Sequence, residues 1–228
     1  MDQSQDLLRQ LLLFIPPFIL SLCIHEYAHA WTANRLGDST ARYLGRLTLD
    51  PLAHMSVFGT LVFPILSIVS GSKIFFGWAN PVPVDSRNFR HPRRDMALVA
   101  AAGPASNVLI SVFCACLLAI LARNPGIQDG FSSWISNPEG VITATREMLV
   151  ITITLNLFLA FFNLLPIPPL DGSRILQAFV PHEVAEKIDS YAVHAQMLLI
   201  MLALVGGFKF LALPVYIVLG LMMNIIHA

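Results

Sequence analysis

Charge is scarce in this chain. Asp, Glu, Lys and Arg supply 12% of its 228 residues, about half the share of an average soluble domain, too few to wet the surface of a water-soluble fold. The fourteen basic and fourteen acidic residues cancel to zero net charge, which argues against nucleic acid as a partner. Cysteine is also sparse. Cys23, Cys114 and Cys116 all lie in apolar runs, and on a helix the last two point roughly 200° apart, so no cysteine pair is spaced for a zinc knuckle and small buried hydrophobes are the simpler reading. Internal repeats, low-complexity tracts and any polar segment long enough to fold by itself are missing. The N-terminus MDQSQDLLRQ lacks the basic start and small-residue cleavage site of a signal peptide, so its apolar run reads as retained.

What is present is hydrophobic: 56% of the chain. Runs able to cross a bilayer, which takes about 20 helical residues, are Leu7–Trp31, Met96–Leu121 and Val141–Leu165. Ser56–Val69 is shorter and holds Gly59 and Pro64, and Ala192–Ile226 is interrupted by Gly206, Gly207 and Lys209, which reads as two short segments. Arg42–Leu49 alternates apolar and polar residues, and Lys73–Val84 mixes aromatics with Pro81 and Pro83; both are expected to be extended. The expectation is an all-α integral membrane protein, a polytopic helical bundle with short re-entrant β segments near its active site. It is one domain over residues 1–228, with a catalytic core of about 7–175 and a C-terminal helical hairpin of about 190–227.

Within the first run stands His25-Glu26-Tyr27-Ala28-His29, an HExxH sequence. Residues i and i+4 share one face of a helix, so His25 and His29 can grip one metal ion. Glu26 beside them can take a proton from an attacking water. In a soluble helix such a motif arises by chance often enough to need support. Here the chance reading must explain three ionisable groups in an apolar helix at roughly 2–3 kcal/mol each, and one metal ion accounts for all three.

A catalytic zinc usually takes three protein ligands and keeps one position open. Asp171 is the leading third ligand, because Pro166, Pro168 and Pro169 break the helix before it and can hold its carboxylate in place. Zn²⁺ with ionised Asp171 and Glu26 would also be neutral, which lowers the desolvation cost. Asp171 could instead cap a helix beginning near Ser173. The rival ligand is His54, in a polar connection where a hydrogen-bonded histidine is ordinary.

Together, His25-Glu26-Tyr27-Ala28-His29, Gly103-Pro104-Ala105-Ser106-Asn107 and Asn163 through Asp171-Gly172 resemble the site-2 protease family of intramembrane zinc metalloproteases, in the compact form without a PDZ or CBS domain. The resemblance covers roughly residues 20–175. It implies one zinc ion held by His25, His29 and Asp171, water activation by Glu26, and a role for Asn163 in holding the substrate or its oxyanion. Gly103, Pro104 and Asn107 would serve packing and site support. The implied partners are the lipid bilayer and the transmembrane segment of another protein, cut in the cell (cytoplasmic or inner) membrane by a multi-pass enzyme. A metal transporter or a structural metal protein is the alternative class. A transporter needs a continuous polar path, and a closed structural site has no use for Glu26.

Both parts of such a site must share one depth. If every apolar run crossed the membrane, Asp171 would fall on the face opposite the motif; taking Ser56–Val69 as re-entrant brings them together. The motif side would then carry Arg35, Arg42, Arg46, Lys73, Arg87, Arg90, Arg93, Arg94, Arg174 and Lys187, and the other side Arg9, Arg123, Arg146 and Lys209. The positive-inside rule puts the motif side in the cytoplasm.

Overall fold

Among the described residues, four stretches are long and apolar enough to cross a membrane: Leu8–Leu36, Pro92–Arg123, Gly140–Asn163 and Gly207–Ile226. The computed structural model describes residues 3–62, 65–66, 69, 79–123, 138–204 and 207–227. Helix α1 spans Gln3–Leu36. Two single-turn helices follow, α2 (Thr40–Tyr43) and α3 (Pro51–His54), then a π-helical turn at Val57–Val62 and a 3-10 turn at Ser86–Asn88. The long α4 (Pro92–Arg123) and α5 (Pro138–Asn163) precede α6 (Asp171–Gln177), α7 (His182–Ser190) and α8 (Ala192–Leu204). A 3-10 turn, Gly207–Leu211, runs into α9 (Ala212–His227).

The membrane helices pack through small and aliphatic residues. Cys114, Ala115 and Leu118 of α4 meet Ile153 and Leu157 of α5 and Val215 and Ile226 of α9 in one buried cluster. Phe14, Phe18 and Leu22 of α1 pack on Leu159 of α5. Ala33 of α1 packs with Val99 of α4 and Phe89 just before it. Outward faces of α4 and α9 expose Leu109, Phe113, Leu213 and Ile217, an inside-out pattern suited to lipid contact.

Helices α1 and α5 run parallel. At their N-terminal ends Arg9 pairs with Glu147 at 2.7 Å, and towards their C-terminal ends His25 and His29 meet Asp171. Sixteen residues separate Arg9 from His25, and sixteen separate Glu147 from Asn163. That is about 24 Å along each axis, within a hydrocarbon core about 30 Å thick. The antiparallel α4 lies between them in register. Its Val99 faces His29, its Asn107 faces both His25 and Asn156, and its Ser111 faces Ile153. The site's two halves therefore share one end of the bundle, as the depth argument requires.

Two expectations need correction. The β segments are not strands: among the described residues the only bridge is an isolated antiparallel pair, Met55 with Ala79. The Asp38 carboxylate accepts the Thr40 N–H and starts α2 where an extended run was expected, and Gly45, at φ +69°, turns the chain after it. The alternation in Arg42–Leu49 has no partner strand to bury it, and Tyr43, Leu44 and Leu49 are exposed. Residues 73–78 of the second expected segment lie outside the described residues, as do 63–64, 67–68 and 70 of the re-entrant hairpin and around it. The C-terminal region does form two segments, α8 and the stretch from Gly207, but the second is not short. Gly207–Ile226 is long enough to cross by itself, because the 3-10 turn carries the helical path past Lys209 into α9.

Candidate metal centre

His25 and His29 project from adjacent turns of α1 and are almost fully buried, at 5% and 8% exposure. Their Nε2 atoms lie 3.0 Å apart. Asp171 arrives from the far side of the sequence. After Asn163 the chain folds into successive tight turns (Ile167 N–H to Leu165 C=O, Leu170 N–H to Ile167 C=O), which end where Asp171 opens α6. Its Oδ2 lies 3.3 Å from His25 Nε2 and its Oδ1 lies 3.4 Å from His29 Nε2. The capping alternative fails, because Leu170 occupies the N-cap of α6 and no side chain caps it. Gly172 lets this turn close: a Cβ there would sit 2.2 Å from the Leu164 carbonyl oxygen.

Hydrogen bonds determine which atoms of the two rings face the centre. Ser21 Oγ donates to the Pro17 carbonyl, so its oxygen accepts from Asn156 Nδ2 at 2.8 Å. Asn156 also donates to the Thr152 carbonyl, and its Oδ1 accepts from Asn107 Nδ2 at 2.8 Å. Asn107 is thereby left with its Oδ1 towards His25 Nδ1, 2.5 Å away. An amide oxygen can only accept, so His25 carries its proton on Nδ1. His29 Nδ1 faces the Val99 carbonyl at 2.7 Å, with the same consequence. Both Nε2 lone pairs then converge with a carboxylate, and Asp171 Oδ2 is buried without a hydrogen bond. Acceptors gathered at this distance repel one another unless a cation lies among them. The donor set of two imidazole nitrogens and one carboxylate suits zinc, and the three ligand atoms lie within 4.8 Å of one another.

Gly103 of α4 makes room for this arrangement. A Cβ on it would fall 2.4 Å from His29 Nε2 and 2.6 Å from His25 Cε1. The small-residue stretch around it thus serves the centre as well as helix packing.

The other residues read from the sequence fall in different places. Glu26 Oε2 accepts the Val82 N–H at 3.0 Å. Asn163 ends α5 and donates its amide to its own helix, at Leu159 C=O, 3.0 Å. His54 is buried, but its Nε2 is engaged by the Thr48 carbonyl at 2.9 Å, and it is not in the three-ligand group. Ser21 and Asn156 escaped the sequence reading. The available signal was a polar amide inside an apolar helix, which rarely lacks a partner or a purpose.

A His-His pair on an HExxH helix joined by an Asp from a distant turn, inside a multi-pass membrane bundle, is the arrangement of a membrane-embedded metallopeptidase. The profile of Peptidase family M50 matches residues 13–205, and the chain belongs to that family. It is 42% identical over 172 residues to a Bacillus subtilis protein named as a zinc metalloprotease, YwhC, covering 75% of this chain and 70% of that one. Two mycobacterial proteins named as zinc metalloprotease Rip2 are also similar. The one from Mycolicibacterium smegmatis is 34% identical over 174 residues, and the one from Mycobacterium tuberculosis H37Rv is 32% identical over 188 residues. The matches cover 75% and 82% of this chain but only 57% and 64% of those longer relatives. No solved structure gives a significant match.

Proposed function

We propose that the chain is a zinc-dependent endopeptidase that hydrolyses peptide bonds within or beside transmembrane segments of other membrane proteins. The observation that carries this reading is the convergence of His25, His29 and Asp171 towards one end of a bundle of apolar helices. Such an expensive polar cluster in lipid points to chemistry performed there. Metal transport would need further ligand groups along a path, whereas among the described residues this is the one group of three.

His25, His29 and Asp171 would hold the ion. Zinc, when bound, supplies a Lewis acid that polarises the scissile carbonyl and brings the pKa of water to about 7. Glu26 accepts the proton of the attacking water and returns it to the departing nitrogen. Asn163 exchanges its bond to Leu159 C=O for one to the oxyanion that develops on the substrate. A transmembrane substrate keeps its carbonyls in helical hydrogen bonds, so it must unwind locally before attack. Helix-breaking residues near the cut therefore speed cleavage, and uninterrupted poly-leucine segments resist it.

The basic side of the molecule faces the cytoplasm in this reading, with the enzyme in the cell membrane. The loops around Asp38 and His54 are joined to residues 80–88 by hydrogen bonds, so both sets of basic residues lie together. The experiment is reconstitution of purified protein with a transmembrane substrate, product mapping by mass spectrometry and zinc determination. Glu26→Gln keeps stoichiometric zinc and cleaves at least about 100-fold more slowly. Undiminished turnover by that variant, or full activity of zinc-free protein, overturns the reading.

A further inference from the structure

Residues 79–88 form a strap across the HExxH helix, fastened on both sides of Glu26. At one end Asn80 donates its N–H to the His54 carbonyl at 2.8 Å and its side-chain amide to the Met55 carbonyl at 2.8 Å. At the other, Asp85 N–H and Asn88 Nδ2 each reach the Asp38 carboxylate at 2.8 Å. Between these anchors lies Pro81-Val82-Pro83. Proline has no N–H and a fixed φ, so Val82 carries the sole backbone donor of the tripeptide, and the two rings restrict where it can point. It points at Glu26 Oε2, 3.0 Å away.

We infer that the Val82 N–H is a positioning group for the general base: it ties down one carboxylate oxygen, so that proton transfer falls to Oε1 in a fixed orientation. The inference deepens the proteolytic reading and rests on Glu26 being the base. A glutamate has three rotatable bonds, and a base that wanders by an ångström loses much of its effect. A charge-assisted bond from a rigid N–H removes that freedom. The strap's anchors explain other features of the loop. His54 is buried against Thr48 C=O, Asp50 caps α3 through the Leu52 N–H, and Arg46 is bonded to the Ala53 carbonyl; together these fix the carbonyls of His54 and Met55 that hold Asn80. A polar loop on the motif side thereby becomes a rigid mount for one amide.

Replacing the Val82 amide by an ester, through the α-hydroxy analogue of valine in the full-length chain, deletes this N–H and leaves the side chain. The expected result is a kcat lower by about tenfold, with KM within about twofold and zinc stoichiometry unchanged. The same replacement at Val84 leaves kcat as it is. Amide exchange of the peptide covering 79–85 gives a readout independent of turnover: it accelerates in Glu26→Ala and stays slow in Glu26→Gln, which retains an acceptor oxygen. A Val82 ester with wild-type kcat, or exchange indifferent to Glu26→Ala, overturns the inference. If Glu26→Gln itself cleaves normally, the base assignment fails instead, so the two failures are told apart.

Discussion

The Asn107 side-chain oxygen sits 2.5 Å from His25 Nδ1 while the amide nitrogen of the same residue donates to Asn156 Oδ1 at 2.8 Å. One side chain thus couples the HExxH helix α1 to α4 and α5, and sets the proton of a buried imidazole from 82 residues away in sequence.

The chain Ser21, Asn156, Asn107, His25 predicts that its distant members affect metal affinity. Asn156→Leu removes the partner that orients Asn107, so Asn107 can turn its NH₂ towards His25 and favour the wrong tautomer. Zinc affinity falls by about 10- to 100-fold, read by competition with a chromophoric chelator, and the helical circular dichroism is unchanged. Asn107→Leu does at least as much. Unaltered affinity in both variants would show that the tautomer is set by other means.

Gly103 predicts a steric effect in the same measurement. A methyl group 2.4 Å from His29 Nε2 is far inside van der Waals contact and occupies the side of the centre that faces α4. Gly103→Ala therefore loses stoichiometric zinc while keeping its membrane insertion. Here His25 and His29 must yield, because Ala100, Gly103 and Pro104 keep α4 close against its neighbours. A zinc-replete Gly103→Ala protein would mean that the helices part more readily than their packing indicates.

The main features of this arrangement were legible in the chain because they are local. Two histidines four residues apart announce a shared helix face, and prolines before Asp171 announce a turn. The three long apolar runs became α1, α4 and α5 for the same reason, since length and hydropathy suffice when lipid is the solvent. What could not be read were relations between distant residues. Asn107 stands in the motif that carries the resemblance, and Ser21 and Asn156 show only as polar groups in apolar helices; the antiparallel register of α4 between α1 and α5 is what makes them one chain of hydrogen bonds. The failed strand at Arg42–Leu49 is the converse. Alternation signals a strand only where a partner strand exists, and here an Asp38 turn, an α2 helical turn and Gly45 use the same residues otherwise.

Asp38 anchors the strap and gives it a pH dependence. Burial by itself would raise its pKa; hydrogen bonds from Thr40, Asn88 and the Asp85 N–H outweigh that and hold it below the usual carboxylate value. A carboxylate with a depressed folded-state pKa contributes stability that is fully present above the unfolded value, about 3.9, and is lost as the pH falls through the folded one. Wild type should melt above Asp38→Asn at about pH 6, and the gap should narrow towards about pH 2. Thermal unfolding in detergent checks this, and a constant gap across the range would mean that the Asp38 charge does not hold the strap.

Asn163 is the residue whose described position departs most from its proposed work, since its amide is bonded to Leu159 C=O on its own helix at 3.0 Å. That bond is cheap to exchange. The Leu159 carbonyl lies in the last turn of α5, where Leu164 N–H bonds to Ala160 C=O and the chain then leaves the helix, so it can stand briefly without the side-chain donor. If the amide turns to a negative oxygen only as the tetrahedral species forms, Asn163 contributes to the rate and little to substrate binding. Asn163→Ala should then lower kcat by about 100-fold or more, leave KM within about threefold and retain zinc. Asn163→Asp should be no better than alanine, because a carboxylate repels the oxyanion. A rise in KM at constant kcat would instead make Asn163 a contact to the unwound substrate in its ground state.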